Sequence, residues 1–171
     1  MRIVATPLPG AYVIEPEVNE DERGFFARML DRDRFAEHGM TVPSTQWSIS
    51  FNRKRGTIRG LHHQASPHAE VKLIRCTSGA IFDVIVELAS AKWFGVELSA
   101  TNRRSLYVPA GFAHGFQSLT DDAEVFYAID GAYVPEAARG VRWDDAVLGI
   151  EWPLPPTIIS ERDRSSPPFS R

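Results

Sequence analysis

The sequence of 171 residues has almost no cysteine, no long apolar run and no marked charge of either sign. Each scarcity excludes something. Cys76 is the only cysteine, which rules out intrachain disulfides and cysteine-cluster zinc sites. The longest apolar run, Val125–Ile129, has five residues, whereas a membrane-spanning helix needs about twenty. The opening MRIVATPLPG lacks the apolar stretch of a secretory signal. A formal charge of −3 offers no general attraction to nucleic acid, so any anion site must be local. No glycine-rich phosphate loop of the Walker or dinucleotide type occurs. These absences predict a cytoplasmic protein with neither membrane nor nucleic-acid partners. The length and the 43% hydrophobic content suit one domain over residues 1–171.

What is present reads as many short strands. Twelve prolines and twelve glycines punctuate runs rich in β-branched and aromatic residues, from Ala11–Ile14 through Thr45–Phe51, Val71–Thr77, Ala80–Leu88, Trp93–Leu98, Ser105–Val108 and His114–Leu119 to Glu124–Ile129. Only Asp31–His38 has a helical look, with Asp31 as N-cap and Gly39 just beyond the end. The pattern predicts an all-β sandwich or barrel with one or two short helices. Within Ala80–Leu88, alternation puts Phe82, Val84, Val86 and Leu88 on one face and Ile81, Asp83, Ile85 and Glu87 on the other. Both faces are largely apolar, so one is expected to line the interior and the other to pack on a second layer. Asp83 then becomes a carboxylate inside a barrel, which needs a partner such as a histidine or a chemical role.

Four of the five histidines fall in two places: His62, His63 and His68 close together, and His114 in Pro-Ala-Gly-Phe-Ala-His-Gly-Phe. His38 ends the expected helix and reads as structural. A histidine is the natural general base near neutrality, and Lys72 is a natural partner for developing negative charge on oxygen. Lys72 shares its face with Ile74 and Cys76, which is costly unless an anion meets it; the simpler alternative is an edge-strand lysine. Tyr127, between Val125 and Ile129 on its strand, points inward and is either a core tyrosine or a proton donor. The Ser160-Glu-Arg-Asp163 segment offers a carboxylate to orient a histidine, although locally it reads as a solvated tail. Arg23 and Arg59 each adjoin a glycine, an arrangement that lets a guanidinium approach an anion closely.

Taken together, the blocks Asp-Glu-Arg-Gly-Phe-Phe (21–26), Ile-Arg-Gly-Leu-His-His-Gln (58–64), Val-Lys-Leu-Ile-Arg-Cys (71–76), Phe-Asp-Val-Ile-Val (82–86), Val-Pro-Ala-Gly-Phe-Ala-His-Gly-Phe (108–116), Ala-Glu-Val-Phe-Tyr (123–127), Gly-Val-Arg-Trp-Asp-Asp (140–145) and Ser-Glu-Arg-Asp (160–163) resemble the dTDP-4-dehydrorhamnose 3,5-epimerase family of the cupin superfamily. The resemblance implies a double-stranded β-helix, or jelly roll, assembled as a homodimer with shared active sites. It implies that His62 is the base and Asp163 its orienting carboxylate. By the same resemblance Lys72 stabilises an enolate, and Tyr127 reprotonates the opposite face. Arg23 and Arg59 match pyrophosphate-binding positions, Asp83 and His114 polar positions near the sugar, and Tyr133 an aromatic beside the substrate. Phe25, Arg28, Gln46 and Ser48 fall at further substrate-binding positions, Arg28 on the nucleotide side. The implied reaction inverts C3 and C5, or C3 alone, of a nucleotide-linked 4-keto-6-deoxy sugar, with neither metal nor organic cofactor.

Three departures fall outside that chemical set. Ser48 stands where the family often has Asn, and Arg28 stands where a Glu is frequent. The loop between Leu88 and Trp93 is about five residues shorter than usual; all three bear on which nucleotide binds. Two other readings compete. A metal cupin would use His114 with His62, His63 or His68 and Glu70, but His-x-His is absent and adjacent histidines point to opposite faces of a strand. A non-catalytic sugar-binding jelly roll accounts for the aromatics but not for His62, Lys72 and Tyr127 together. A strand apolar on both faces also needs cover, which the resemblance supplies from a second subunit.

Overall fold

Turn residues cut the chain into extended segments too short to be stable alone, and these pair into two facing sheets. The computed structural model describes residues 1–170. In chain order the elements are β1 (Arg2–Ala5), β2 (Tyr12–Glu15), β3 (Val18–Asp21), β4 (Gly24–Ala27), α1 (Arg32–Glu37), β5 (Gln46–Asn52), β6 (Thr57–Gln64), β7 (Val71–Ser78) and β8 (Ala80–Glu87). They continue with β9 (Lys92–Ser99), β10 (Ser105–Val108), β11 (Phe112–Ser118), β12 (Ala123–Asp130), β13 (Ala138–Gly140), β14 (Ile158–Ile159) and α2 (Glu161–Arg164). One sheet runs β1-β2-β10-β7-β12-β5 and the other β13-β6-β11-β8-β9, with β14 added parallel to β6. The expected all-β jelly roll is the fold that forms.

The eight expected strands are all present, shifted by a residue or two at their ends. Six strands lie where composition did not mark them: β1, β3 and β4 of one hairpin, β6, and the short β13 and β14. In β6 the run Thr57–Gln64 mixes an arginine, a glycine and two histidines, so its functional residues mask its strand character. The helix α1 is capped as expected. Asp31 accepts hydrogen bonds from the backbone N–H groups of Asp33 and Arg34, and Gly39 follows with φ +69°.

Between the sheets lies an apolar interior built by Ile74 and Cys76 of β7, Ile81 and Ile85 of β8, Phe112 and Phe116 of β11, and Val125 of β12. Asp83 shares the inward face of β8 with Ile81 and Ile85, as alternation predicts. The outward face, Val84 and Val86, packs on Leu61, Val141 and Leu148, with Phe82 and Trp152 at the margin. Its cover therefore comes from the chain's own segment after β13, which corrects the expectation that a second subunit covers this strand. Outside the other sheet, Phe35 of α1 seals Ile14, Leu73, Tyr107 and Ala128. The apolar surface left open lies instead on β5, where Trp47, Ile49 and Phe51 alternate outward, and on β4, with Phe25 and Phe26.

Candidate active site

The inward residues of five strands meet in one cavity. On β12, Tyr127 and Ile129 pair with Ile74 and Lys72 of β7, so Lys72 and Tyr127 occupy one face of one sheet. On β5, Ser48 lies opposite Tyr127 and Ser50 opposite Val125, which turns both serines inward and the Trp47–Ile49–Phe51 row outward. Because β7 is an interior strand of its sheet, Lys72 is not an edge lysine; it is 9% exposed.

The facing sheet contributes β6 and β11 through an irregularity. His114 pairs with His62 and Phe116 pairs with Arg59, so β11 advances two residues while β6 advances three. The extra residue puts Arg59 and His62 on the same inward face despite their odd spacing. Gly60, inside this bulge, has φ +127°, and a Cβ there would lie 2.6 Å from Gly115 Cα and 3.0 Å from His114 O. Only glycine satisfies both constraints.

The bulge also delivers a backbone donor. Asp163 Oδ2 accepts from Gly60 N–H at 3.1 Å, while Oδ1 lies 2.7 Å from His62 Nε2. Asp163 is 3% exposed and sits in α2, whose N-cap Ser160 accepts from the Asp163 N–H at 3.1 Å. Its position is fixed by β14, which lies beside the start of β6. The solvated tail that local sequence suggests is therefore a docked, capped turn. Burial pushes the Asp163 carboxyl up, but the His62 hydrogen bond and charge and the Gly60 and Ser160 hydrogen bonds outweigh it and hold it below the usual carboxylate range. An ionised Asp163 requires the proton on His62 Nε2, which leaves Nδ1 as the basic nitrogen of the ring.

A second buried pair lies deeper. His114 Nε2 is 2.7 Å from Asp83 Oδ1, with Asp83 fully buried and its Oδ2 without a partner among the described residues. Burial raises the Asp83 carboxyl above its ordinary value, against the opposing charge and hydrogen bond of His114 and the charge of Lys72. The histidine partner expected for Asp83 is thus His114. The His114 and Tyr127 rings meet edge to face at 6.2 Å, and Tyr127 Oη lies 3.0 Å from Ser50 Oγ. Burial drives the Tyr127 phenol upward, only partly opposed by Ser50, so it stays protonated near neutrality.

These side chains line a cavity of about 270 Å³, with Arg59, His62, His114 and Phe116 on one wall and Ser48, Ser50, Lys72, Tyr127 and Ile129 on the other. A side lobe of about 190 Å³ opens past His62 and Lys72 toward His63, Glu70, Tyr133, Arg139 and Arg162. Of the residues singled out in the sequence, His62, Lys72, Tyr127, Asp163, Arg59, Asp83, His114, Ser48 and Tyr133 are in or beside this space. Gln46 is at its rim, its Nε2 donating to Gly131 O. Arg23, Phe25 and Arg28 are elsewhere in the chain, on or just after the β3–β4 hairpin. Arg23 pairs with Asp21, and Arg28 pairs with Asp31 in a separate cleft with Met1, Glu17 and Asn19. That cleft is larger, about 370 Å³, but it contains no histidine or tyrosine.

Ser50, Phe116 and Arg162 are lining residues that sequence reasoning did not single out. For Ser50 a signal existed, since it shares the parity of Ser48. Glu70, considered as a metal ligand, instead pairs with Lys72. Among the described residues no three His, Cys, Asp or Glu side chains are grouped to hold a metal ion. No helix among them is long and apolar enough to cross a membrane.

Comparison with known proteins agrees with this geometry. The family described as dTDP-4-dehydrorhamnose 3,5-epimerase matches residues 5–171. An enzyme of that name from Shigella flexneri is 40% identical over 175 residues, covering 99% of this chain and 96% of the relative. The crystal structure of the Elizabethkingia anophelis enzyme superposes with a TM-score of 0.95 at 41% identity, covering 99% of this chain and 96% of that one. A Legionella pneumophila structure in complex with dTDP-4-keto-L-rhamnose gives 0.91 at 34% identity, covering 98% and 92%. The chain belongs to the dTDP-4-dehydrorhamnose 3,5-epimerase family, whose members are isomerases.

Proposed function

We propose that this single domain is an epimerase that needs no cofactor and inverts C3 and C5 of a dTDP-linked 4-keto-6-deoxy sugar. The observation that carries the reading is the placement of an oriented base and a protonated phenol on opposite walls of one cavity, with an ammonium on the phenol's wall. The 4-keto group acidifies the hydrogens on C3 and C5, so His62 Nδ1 removes each in turn while Asp163 holds the ring. The electron pair moves onto the C4 oxygen, and Lys72 Nζ stabilises the resulting enolate. Tyr127 then gives a proton to the other face, which inverts the centre; His62 yields its proton to solvent and the Tyr127 phenolate takes one back, which restores both groups for the second centre. Cys76 takes no part: it is buried, and burial pushes its thiol up to about 11. A free, buried thiol also suits residence in the cytoplasm.

The diphosphate falls to Arg59, whose Nε is fixed on Asn52 Oδ1 at 2.7 Å, with Ser48 toward the nucleotide and Tyr133 beside the substrate in the side lobe. A homodimer explains two further features: the exposed row Trp47, Ile49 and Phe51, and the exposed hairpin carrying Arg23, Phe25 and Arg28. On this reading the hairpin reaches the partner's cavity and completes its nucleotide side. Incubation with dTDP-4-keto-6-deoxyglucose in deuterium oxide tests the function. Two deuterons, at C3 and C5, are expected; one at C3 alone would make the protein a 3-epimerase, and none would refute the reading.

A further inference from the structure

Lys72 Nζ lies 3.1 Å from Glu70 Oε2, and the two side chains are only 11% and 9% exposed. Glu70 immediately precedes β7 and lines the side lobe, whereas Lys72 lines both the lobe and the main cavity. The reaction just described makes no use of this carboxylate. Building on that reading, we propose that Glu70 is the positioning residue for the enolate-stabilising ammonium. It occupies one Nζ–H from the lobe side, so the other two diverge into the cavity where the C4 oxygen develops charge. It also supplies the counter-ion of a nearly buried ammonium.

The surroundings of Lys72 single out Glu70 for this role. From β6 it is faced by His62, His63 and Arg59, from β12 by Tyr127, from β13 by Arg139 and from α2 by Arg162. Asp83 of β8 acts on it through space but is hydrogen-bonded to His114 of β11. Asp163 is engaged by His62 and Gly60. Glu70 is the one carboxylate within ion-pair distance of Lys72 among the described residues. Neutralising Glu70 therefore leaves the ammonium among arginines and histidines without a counter-ion, and its proton should be lost at lower pH.

Deuterium exchange at C3 and C5 of dTDP-4-keto-6-deoxyglucose, followed by NMR against pH, tests this. Exchange is read in place of inversion, and the series is repeated in Tyr127→Phe, so that titration of the phenol cannot set the alkaline limb. Glu70→Gln keeps the length and an acceptor but removes the charge. Its alkaline limb should move down by about one pH unit, so that the loss relative to native grows with pH toward about tenfold above the native limb and stays within about twofold well below the shifted one, with KM within about twofold of native. Glu70→Asp, which keeps the charge, should retain the native limb with a lower kcat. An unmoved limb in Glu70→Gln, a loss equal at every pH, or a limb in Glu70→Asp displaced like that of Glu70→Gln would each overturn the proposal alone. A native protein that exchanges no deuterium would overturn the epimerase reading and this proposal with it.

Discussion

Replacing Asp163 by Asn changes one atom's chemistry in a buried site and has a consequence that hydrogen-bond polarity dictates. Gly60 N–H donates to one carboxylate oxygen and His62 Nε2 to the other. An amide has a single oxygen. If it accepts from Gly60, its NH₂ faces His62 Nε2, which must then become an acceptor. The imidazole proton moves to Nδ1, the nitrogen that should take the sugar's proton. The reverse flip sets the amide NH₂ against Gly60 N–H and leaves two donors in conflict. General-base catalysis contributes about 10²–10⁴-fold, so kcat for deuterium exchange should fall by that factor while dTDP affinity is retained. Losing a charge-assisted hydrogen bond in a 3% exposed position should also cost about 1.5–3 kcal/mol, roughly 3–12 °C in Tm for a chain of this size. The sign with pH follows from the depressed carboxyl: its stabilisation is present above the unfolded value, about 3.9, and is lost as pH falls through the lower folded value. The Tm gap between native and Asp163→Asn should therefore be full at neutrality and close in strong acid. Exchange within about threefold of native would refute the tautomer argument.

Tyr127→Phe should lower net inversion at C3 and C5 more than deuterium wash-in, because deprotonation does not need the phenol; equal losses would remove Tyr127 as the acid. Gly60→Ala should cost more than about 3 kcal/mol and release His62, since its Cβ would meet Gly115 Cα at 2.6 Å and the residue would keep φ +127°; thermal denaturation with an unchanged midpoint would contradict this. Ile49→Glu should convert a dimer to a monomer by light scattering and weaken dTDP binding through loss of the partner's hairpin. A native protein that is an active monomer would sink the shared-site idea.

Period-two alternation made the inward faces of β8 and β12 legible, so Asp83 and Tyr127 read as interior from the sequence, whereas on β7 it gave Lys72 the face of Ile74 and Cys76 but left an edge lysine as the simpler alternative. The same rule fails on β6. It sends Arg59 and His62 to opposite faces, and only the bulge at Gly60, visible in the pairing with β11, reunites them. Asp163 was legible by resemblance alone, because its burial depends on a two-residue parallel strand and a hydroxyl cap that carry no periodic signal. The cover over β8 was misplaced for a related reason. The segment Val141–Trp152 is irregular and polar in part, yet it supplies the apolar lid over Val84 and Val86. Hydropathy showed that a cover was needed, not which part of the chain provides it.

His62 and its carboxylate are 101 residues apart, and the second lies on a segment that follows every other strand of the two main sheets in the chain. On a ribosome, a chain that has emerged through β13 already holds the phenol, the ammonium and the imidazole, but its imidazole has nothing to fix its tautomer. Asp163 reaches the imidazole only when Ile158 and Ile159 lie beside Thr57 and Ile58, so on the proposed mechanism full turnover requires the chain through residue 163 to be in place.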